Sequence, residues 1–319
     1  MRLAISWGRM KQLKILHVAN SFDPAGDVIR CVTELKKYSR HRHEYILADR
    51  HPYQDDYGYQ EPALMEWNTE PGLVAHLFDW ADVVLYHFVG WEKKWSGKGK
   101  PTAFRNINIY YNAETDRFWS LAGYNAASLD GYKLLASSHV GAADFLGQDR
   151  FRWLPDLVPI EDALYEPDWR ERQPCVSYIK HARAIDMVGF PAGVARQNLF
   201  KQKHPIVLYR RKTAATVVID NVSDGHLGLA GLEAMSMGFP LVVFNHGKTQ
   251  AALREFAPEY PPITEVGCNV GKAIWAAFKL AGNPDSGLRR AMRDWMERFY
   301  HSRRVIEKFW DSFFEEMAG

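Results

Sequence analysis

The sequence predicts an α/β protein with two doubly wound parallel sheets, and three observations support that prediction. First, residues 214–245 read as strand, loop, helix and strand in succession, which is a complete right-handed crossover unit. Second, residues 14–38 contain a similar strand, loop and amphipathic helix near the beginning of the chain. Third, a chain of 319 residues is long enough for two domains that each bury a core.

The unit at residues 214–245 is the most informative part of the chain. Val217–Ile219 is a β-branched run typical of a buried parallel strand, and a loop rich in Gly and Asp follows it. Residues 229–237 have helical spacing, residues 238–240 (GFP) end that helix, and residues 241–244 form a second buried strand. Glu233 lies near the beginning of the helix, close to the carboxyl edge of the sheet where ligands bind. This arrangement predicts a nucleotide site.

The same segment resembles the donor-binding signature of the retaining GT-B glycosyltransferases, whose usual form is E-x-F-G-x-x-x-x-E-A-M-A-x-G-x-P-V-V. The matching positions are Gly228, Leu229, Leu232, Glu233, Ala234, Met235, Gly238, Pro240 and Val242. The chain departs from the signature at the first acid, where it has Gly225, and the nearest carboxylate is Asp224. The resemblance implies that Glu233 holds the ribose hydroxyls of a nucleotide sugar and that Asp224 contacts the transferred sugar. The alternative is that Glu233 only caps or solvates a helix.

This resemblance also implies the architecture. We expect a GT-B fold, in which two Rossmann-like domains face each other across a cleft and a C-terminal helix crosses back to the first domain. The predicted boundaries are an acceptor-side domain at residues 10–158, a nucleotide-sugar-binding domain at 174–295 and the crossing helix at 296–319. The many aromatic residues of 288–317 favour this packing over a membrane anchor.

Loops at the carboxyl ends of other predicted strands supply further donor-site candidates. Gly26 lies in the loop 20–26, where the family has two adjacent glycines and where backbone N–H groups can face an anion; a plain strand-to-helix turn is the alternative. Lys180 and Arg183 follow the first strand of the second domain, where the family has cations that stabilise the diphosphate leaving group. A solvated surface pair explains them equally well. Gly225 and Gly247 stand where the family places backbone next to the donor.

Acid–base candidates come from the first domain. His87 ends the predicted strand 82–87 at the carboxyl edge of the sheet, although a histidine in such a place is more often structural. Residues 110–117 follow the predicted strand 102–110 and bring together Glu114, Asp116 and Arg117; either acid could orient an acceptor hydroxyl. The resemblance implies that the departing phosphate itself deprotonates the acceptor, so a dedicated base is not required.

The acceptor is left open by the sequence. Residues 91–100 (WEKKWSGKGK) and 36–43 (KKYSRHRH) combine aromatic and basic side chains, which suit a DNA base or nucleotide, a lipid phosphate or a glycan. A solvated loop is the alternative. The net charge of +2 argues against extended nonspecific DNA binding.

The remaining composition is that of an ordinary globular protein. Three distant cysteines predict neither a disulfide framework nor a zinc site, and the chain has no D-x-D motif, so we expect no metal and no cofactor beyond the nucleotide sugar. The most apolar window, 72–91, is too polar for a transmembrane segment, and the first nine residues lack a signal-peptide core. We therefore expect a cytoplasmic protein, with peripheral membrane contact left open.

Taken with the resemblance, these features predict a glycosyltransferase that moves a sugar from a nucleotide-sugar donor, such as a UDP-sugar, to an acceptor hydroxyl, with retention and without metal. The lost first acid and the reduced glycine loop keep a second possibility open, a noncatalytic GT-B-like module that binds a nucleotide or glycan. A GT-B epimerase is a third possibility, which the helix signature disfavours.

Overall fold

The computed structural model describes residues 11–19, 27–47, 71–87, 99–105, 109–112, 114–120, 125, 127–167, 169, 176–179, 199–202, 217–220, 222, 225–282 and 286–319. Its N-terminal domain is built on six parallel strands, β1 (Lys14–Ala19), β2 (Arg42–Leu47), β3 (Val83–His87), β4 (Thr102–Arg105), β7 (Leu134–Ser137) and β8 (Phe151–Trp153). Their order across the sheet is β2-β1-β3-β4-β7-β8. The remaining two strands, β5 (Ile109–Asn112) and β6 (Arg117–Ser120), form a separate antiparallel hairpin.

The hairpin corrects one expectation. The sequence predicts a single strand at 102–110, whereas β4 ends at Arg105 and the chain re-enters strand structure at Ile109 in a different sheet. An apolar run gives no signal for such a change of sheet, because both sheets accept the same residue types. The consequence is functional, since the hairpin projects toward the C-terminal domain.

Three helices accompany the first sheet, α1 (Asp27–Tyr38), α2 (Pro71–Trp80) and α3 (Ala143–Leu146). Strand β3 is buried along its whole length, as expected for a parallel strand covered by helices on both faces. Helix α1 buries Val28, Cys31, Val32 and Leu35, which is the apolar stripe that its sequence predicts.

The C-terminal domain contains five parallel strands, β9 (Val176–Ile179), β10 (Leu199–Gln202), β11 (Val217–Ile219), β12 (Leu241–Val243) and β13 (Thr264–Glu265), in the order β10-β9-β11-β12-β13. The helices that the structure describes in this domain are α4 (Leu229–Ser236), α5 (Gly247–Phe256), α6 (Val270–Gly282) and α7 (Ser286–Phe299). The predicted unit at 214–245 is therefore β11, α4 and β12. Two parallel sheets with helices around them confirm the predicted fold class.

The end of the chain returns to the N-terminal domain. Helix α8 (Ser302–Val305), a π-helical turn (Ile306–Trp310) and helix α9 (Asp311–Ala318) follow α7. Lys133 Nζ donates to the carbonyl oxygen of Glu316 over 2.8 Å, and Trp310 Nε1 donates to that of Pro155 over 3.1 Å. The aromatic stripe of this region is buried in the protein core, which confirms the predicted crossing helix. Among the helices that the structure describes, none is long and apolar enough to cross a membrane.

Candidate functional site

Helix α4 begins directly beside the end of strand β11. The backbone N–H of Gly228 donates to Asp220 Oδ2 over 3.2 Å, and Asp220, which follows β11, is buried. A Cβ atom at Gly231 would clash with the same carboxylate, so this position requires glycine. The beginning of α4 is thus packed on an acid of its own domain, and the Gly228 N–H already has an anionic partner.

Glu233 lies one turn further along α4 and is buried in an ion pair with Arg30 of helix α1. Tyr165 completes the group: its hydroxyl donates to Glu233 Oε1 over 3.0 Å and accepts from Arg30 Nη1 over 3.2 Å. Each of the three residues is only 1% exposed. We call them the dry cluster; they bring together a helix of each domain and the segment that connects the domains.

The connecting segment is itself held in place. Arg293 of α7 donates from Nη1 to the carbonyl oxygens of Tyr165, over 3.0 Å, and Ser236, over 2.6 Å. Its Nη2 donates to the carbonyl oxygen of Ile160 over 3.0 Å. The guanidinium of Arg293 therefore joins the connecting segment to the end of α4 and fixes the backbone of Tyr165.

The hairpin β5–β6 packs over Gly225, the residue at the position of the first acid in the family signature. A Cβ atom at Gly225 would lie 3.1 Å from His246 Cβ, 3.5 Å from Tyr111 Cβ and 3.6 Å from Phe118 Cε1. Gly225 also has a φ of +70°, which favours glycine. The space that a side chain would enter here is filled by residues of both domains.

A second polar group bridges the domains at this hairpin, and we call Tyr111, Asp116 and His246 the hairpin cluster. Tyr111 Oη donates to Asp116 Oδ1 over 2.7 Å, and His246 Nε2 lies 3.4 Å from the same oxygen. The hydrogen bond from Tyr111, followed by His246, lowers the pKa of the Asp116 carboxyl, while the same bond raises the pKa of Tyr111 to about 12. Asp116 is exposed and has a φ of +51°, a strained conformation found often at functional sites. Its carboxylate can accept a hydrogen bond from a substrate hydroxyl.

Between the domains lies a cavity of about 20 Å³ whose lining includes Ser138, His226, Leu232 and Thr249. The ring of His226, which lines the cavity, packs against that of His139, with centroids 4.1 Å apart. A volume of this size holds about one water molecule. A nucleotide does not fit into this cavity in the arrangement described.

His87, a predicted catalytic residue, is fully buried in a row of three histidines on adjacent strands. His87 Nε2 is hydrogen-bonded to His17 Nδ1 over 2.9 Å, and His17 Nε2 to His43 Nδ1 over 3.0 Å. Burial, reinforced by neighbouring positive charge, holds the pKa of all three imidazoles well below the ordinary histidine value. We call this group the histidine row; it is neutral at physiological pH, and His87 directs its Nε2 into the row.

The other predicted residues are placed as follows. Glu114 lies at the exposed turn of the hairpin, with its backbone N–H donating to Asn112 Oδ1 over 2.8 Å. Gly247 begins α5 beside open space, and Leu229 packs against the protein core from the beginning of α4. Gly26, Lys180, Arg183 and Asp224 lie outside the described residues.

The basic run 36–43 is engaged within the protein. Lys36 pairs with Glu44 over 3.2 Å, and Arg40 pairs with Glu315 of α9. His41 and His43 are buried. Arg40, His41 and His43 therefore contact the C-terminal helix α9, while the use of this run for an acceptor stays a prediction. Residues 91–98 of the other basic segment lie outside the described part of the chain.

Sequence reasoning did not identify Arg30, Tyr165 or His246. Arg30 belongs to a helix whose apolar stripe suggested only packing, and Tyr165 is an isolated aromatic residue in a segment rich in Pro and acid. Neither has a local motif.

In the part of the chain that the structure describes, no group of three or more His, Cys, Asp or Glu residues is placed to hold a metal ion.

No protein-family model and no curated protein sequence matches the chain, whereas solved structures do. The structure is similar to HepE from Anabaena in complex with UDP-glucose, with a TM-score of 0.63 and 10% identity over 95% of this chain and 100% of that one. It is also similar to sucrose-phosphate synthase from Thermosynechococcus elongatus, with a TM-score of 0.60 and 12% identity over 96% and 99% of the two chains. A third similar structure is a UDP-GlcNAc 2-epimerase from Neisseria meningitidis bound to UDP-GlcNAc. Its TM-score is 0.51 and its sequence identity is 12%, over 96% of this chain and 99% of that one. These similarities establish the predicted GT-B fold.

Proposed function

We propose that this protein is a glycosyltransferase that moves a sugar from a nucleotide sugar to an acceptor hydroxyl. The observation that supports the proposal most is the position of Glu233. It lies in the second turn of α4, within the donor signature, and pairs with Arg30 of α1 in the other domain, in a fold shared with a UDP-glucose complex. The carboxyl edges of both sheets are where this type of fold binds ligands.

In this proposal the C-terminal domain binds the donor. Glu233 accepts hydrogen bonds from the ribose hydroxyls, and the backbone at Gly225, Gly228, Leu229 and Gly247 lines the donor. Lys180 and Arg183 stabilise the charge that develops on the leaving diphosphate, with Gly26 facing it from the first domain. Fixed cations then replace a divalent metal.

The N-terminal domain receives the acceptor. Glu114 orients the acceptor hydroxyl, with Asp116 as a second carboxylate on the same hairpin. From the C-terminal domain, Asp224 contacts the transferred sugar. His87, which lies in the buried histidine row, is the remaining candidate for an acid–base role in this domain. Transfer proceeds with retention, because the leaving phosphate deprotonates the acceptor on the face of the sugar from which it departs. The acceptor hydroxyl belongs to a modified DNA base, a lipid or a glycan.

Two observations favour a second candidate, a noncatalytic module that binds a nucleotide or glycan. The Glu233 carboxylate is already paired in the dry cluster, and the position of the first acid is a packed glycine. Such a module would bind a nucleotide sugar without consuming it. The epimerase possibility has support in the similarity to the UDP-GlcNAc 2-epimerase fold.

One experiment separates these functions. The purified protein is titrated calorimetrically with UDP-glucose, UDP-GlcNAc, GDP-mannose and ADP-glucose, and the sugar that binds is then followed by NMR. Release of the nucleoside diphosphate with an α-linked product from the α-linked donor supports retaining transfer. An epimerised sugar supports the epimerase, and binding without turnover in the presence of glycan, lipid and DNA acceptors supports the module. If none of the four ligands binds, the proposed function is wrong.

A further inference from the structure

We infer that the outer face of the β5–β6 hairpin binds a sugar ring of the acceptor, so that the acceptor is an uncharged glycan. This inference rests on the proposed function and names the class of its acceptor. The binding surface consists of Asp116 in the turn and of Arg117 and Trp119 on strand β6, and we call it the sugar platform. The platform holds one sugar unit of the glycan, while the unit that reacts lies at the boundary between the domains.

The first observation is the alternation of strand β6. Its four residues, Arg117–Ser120, are exposed, buried, exposed and buried in turn. Phe118 points inward, where its ring centroid lies 5.1 Å from that of His246 in the C-terminal domain. Since neighbouring residues of a strand point to opposite faces, Arg117 and Trp119 share the outer face, about 7 Å apart along the strand. Trp119 is 44% exposed there.

The second observation is that the hairpin is an ordered support for this indole ring. Its turn is closed by Asn112, whose Oδ1 accepts the backbone N–H of Glu114 over 2.8 Å and that of Thr115 over 3.2 Å. A flat ring on a preformed strand loses little freedom when a ligand binds. Because a single exposed aromatic side chain is ordinary on a protein surface, the residues beside Trp119 decide what it binds.

The third observation is the charge around the platform. Among the described residues of the hairpin turn, Glu114 and Asp116 are exposed carboxylates and Arg117 is an exposed cation. Lys248 of α5 is paired with Asp144. Two carboxylates against one guanidinium repel the phosphates of DNA or of a phospholipid. They suit the hydroxyls of an uncharged sugar, since a carboxylate accepts hydrogen bonds and a guanidinium donates them.

The fourth observation is continuity with the domain boundary. Asp116 belongs both to the platform and to the hairpin cluster, in which His246 Nε2 lies 3.4 Å from Asp116 Oδ1. The hydrogen bond from Tyr111 lowers the pKa of the Asp116 carboxyl, which therefore accepts hydrogen bonds as a carboxylate at neutral pH. Trp119 is three residues further along, about 10 Å in an extended strand. A glycan of several units can thus rest on Trp119 and still reach the boundary.

The test measures the binding of uncharged glycans to the full-length protein. Maltotetraose, cellotetraose, chitotetraose and mannotetraose are titrated by NMR at 20 mM and 500 mM NaCl. A short single-stranded DNA, followed by fluorescence anisotropy, and vesicles of phosphatidylglycerol and phosphatidylcholine, followed by sedimentation, represent the other acceptor classes. The ligand that binds is then titrated into Trp119→Ala and Trp119→Phe. Trp275→Ala is the matched control, because Trp275 of α6 is 68% exposed and lies in the C-terminal domain.

We expect at least one tetrasaccharide to bind, with the same affinity at both salt concentrations because the ligand carries no charge. Trp119→Ala should weaken this binding about 5- to 20-fold, in the lower part of the range for a ring stacked on an aromatic side chain. Trp119→Phe keeps an aromatic ring and should stay within about 3-fold of the wild type. Trp275→Ala should bind the glycan unchanged, and Trp119→Ala should keep wild-type affinity for the nucleotide sugar.

Two results would overturn the inference. One is that no tetrasaccharide binds, or that Trp119→Ala binds it as the wild type does. The other is binding of DNA or vesicles that Trp119→Ala weakens and that falls steeply with salt, which is the signature of phosphate recognition. Circular dichroism checks the fold of each variant, and Trp119→Leu replaces Trp119→Ala if the smaller side chain disrupts the hairpin.

The proposed function fails by a different result. If a tetrasaccharide binds through Trp119 but no nucleotide sugar binds the wild-type protein, the platform is a glycan site and transfer from a nucleotide sugar is wrong. If a nucleotide sugar binds and no tetrasaccharide does, the proposed function stands and the platform is wrong.

Discussion

In the described part of the chain, the dry cluster and the hairpin cluster, two polar groups that bridge the domains, differ in their exposure to water. The dry cluster of Arg30, Tyr165 and Glu233 is almost completely buried. In the hairpin cluster Asp116 is exposed while Tyr111 and His246 are half-buried, and the nearby pair of Lys248 with Asp144 is largely exposed. Removing one partner of a buried ion pair leaves an uncompensated charge, while an exposed pair is screened by solvent and contributes little. The dry cluster should therefore contribute more to the free energy that holds the domains together than the hairpin cluster does.

The largest effect should follow from breaking the dry cluster on one side. Arg30→Met leaves Glu233 buried without a cation, and we expect a loss of about 3–5 kcal/mol in the free energy of unfolding. The double variant Arg30→Met/Glu233→Met removes both charges and should recover most of that loss. Urea denaturation followed by circular dichroism measures both. Equal destabilisation by the single and double variants would contradict a coupled pair.

A smaller effect is expected on donor affinity. Glu233→Gln keeps the size of the side chain but removes the charge that binds the ribose hydroxyls, which should cost about 1.5–3 kcal/mol. Isothermal titration with UDP-glucose measures the change. Glu259→Gln, which alters an exposed pair, is the matched control. If Glu233→Gln binds the donor as the wild type does, Glu233 belongs to the dry cluster alone.

The exposed pair of Lys248 with Asp144, which lies beside the hairpin cluster, should contribute far less than the dry cluster. Lys248→Ala removes the pair with Asp144, and we expect a change of less than about 1 kcal/mol in the free energy of unfolding. The change should shrink further as salt rises, since charges at the surface are screened over about 8–10 Å. Denaturation at 20 mM and 500 mM NaCl checks this. A change as large as that of Arg30→Met would remove the distinction between buried and exposed polar contacts of the two domains.

The smallest effect is spectroscopic. The hydrogen bond to Asp116 raises the pKa of the Tyr111 phenol to about 12, so Asp116→Asn should return it toward the ordinary tyrosine value. Difference absorbance at 295 nm between wild type and variant, with Tyr111→Phe to assign the signal, follows the ionisation. An identical titration in Asp116→Asn would show that the hairpin cluster is not formed in solution.

Most of the fold could be predicted because short stretches of the sequence determine its helices and strands. The β-branched run Val217–Ile219, the helix stop at residues 238–240 and the aromatic stripe of the C-terminal helices are each visible in a short window of sequence. The resemblance to a known signature then identified Glu233. Each of these signals depends on neighbours in the chain.

The site itself depends on contacts between distant residues. Arg30 and Glu233 form an ion pair although most of the first domain lies between them in the sequence, and Tyr165 of the connecting segment contacts both. No periodicity links these positions, so the sequence could not reveal that the predicted ribose ligand already has a partner. The change from β4 to the hairpin was missed for a similar reason, and with it the packing of Tyr111 over Gly225.

The histidine row has a consequence for the response of the protein to acid. In the folded state the pKa values of His17, His43 and His87 lie well below the ordinary value near 6.5, while in the unfolded chain they return to it. Below pH 6.5 the unfolded chain therefore binds more protons than the native protein. As the pH falls below 6.5, each imidazole should therefore lower the free energy of unfolding by up to about 1.4 kcal/mol for each pH unit. Strands β1, β2 and β3, which carry these histidines, should therefore make the N-terminal domain less stable in acid, in a pH range where most carboxylates remain ionised.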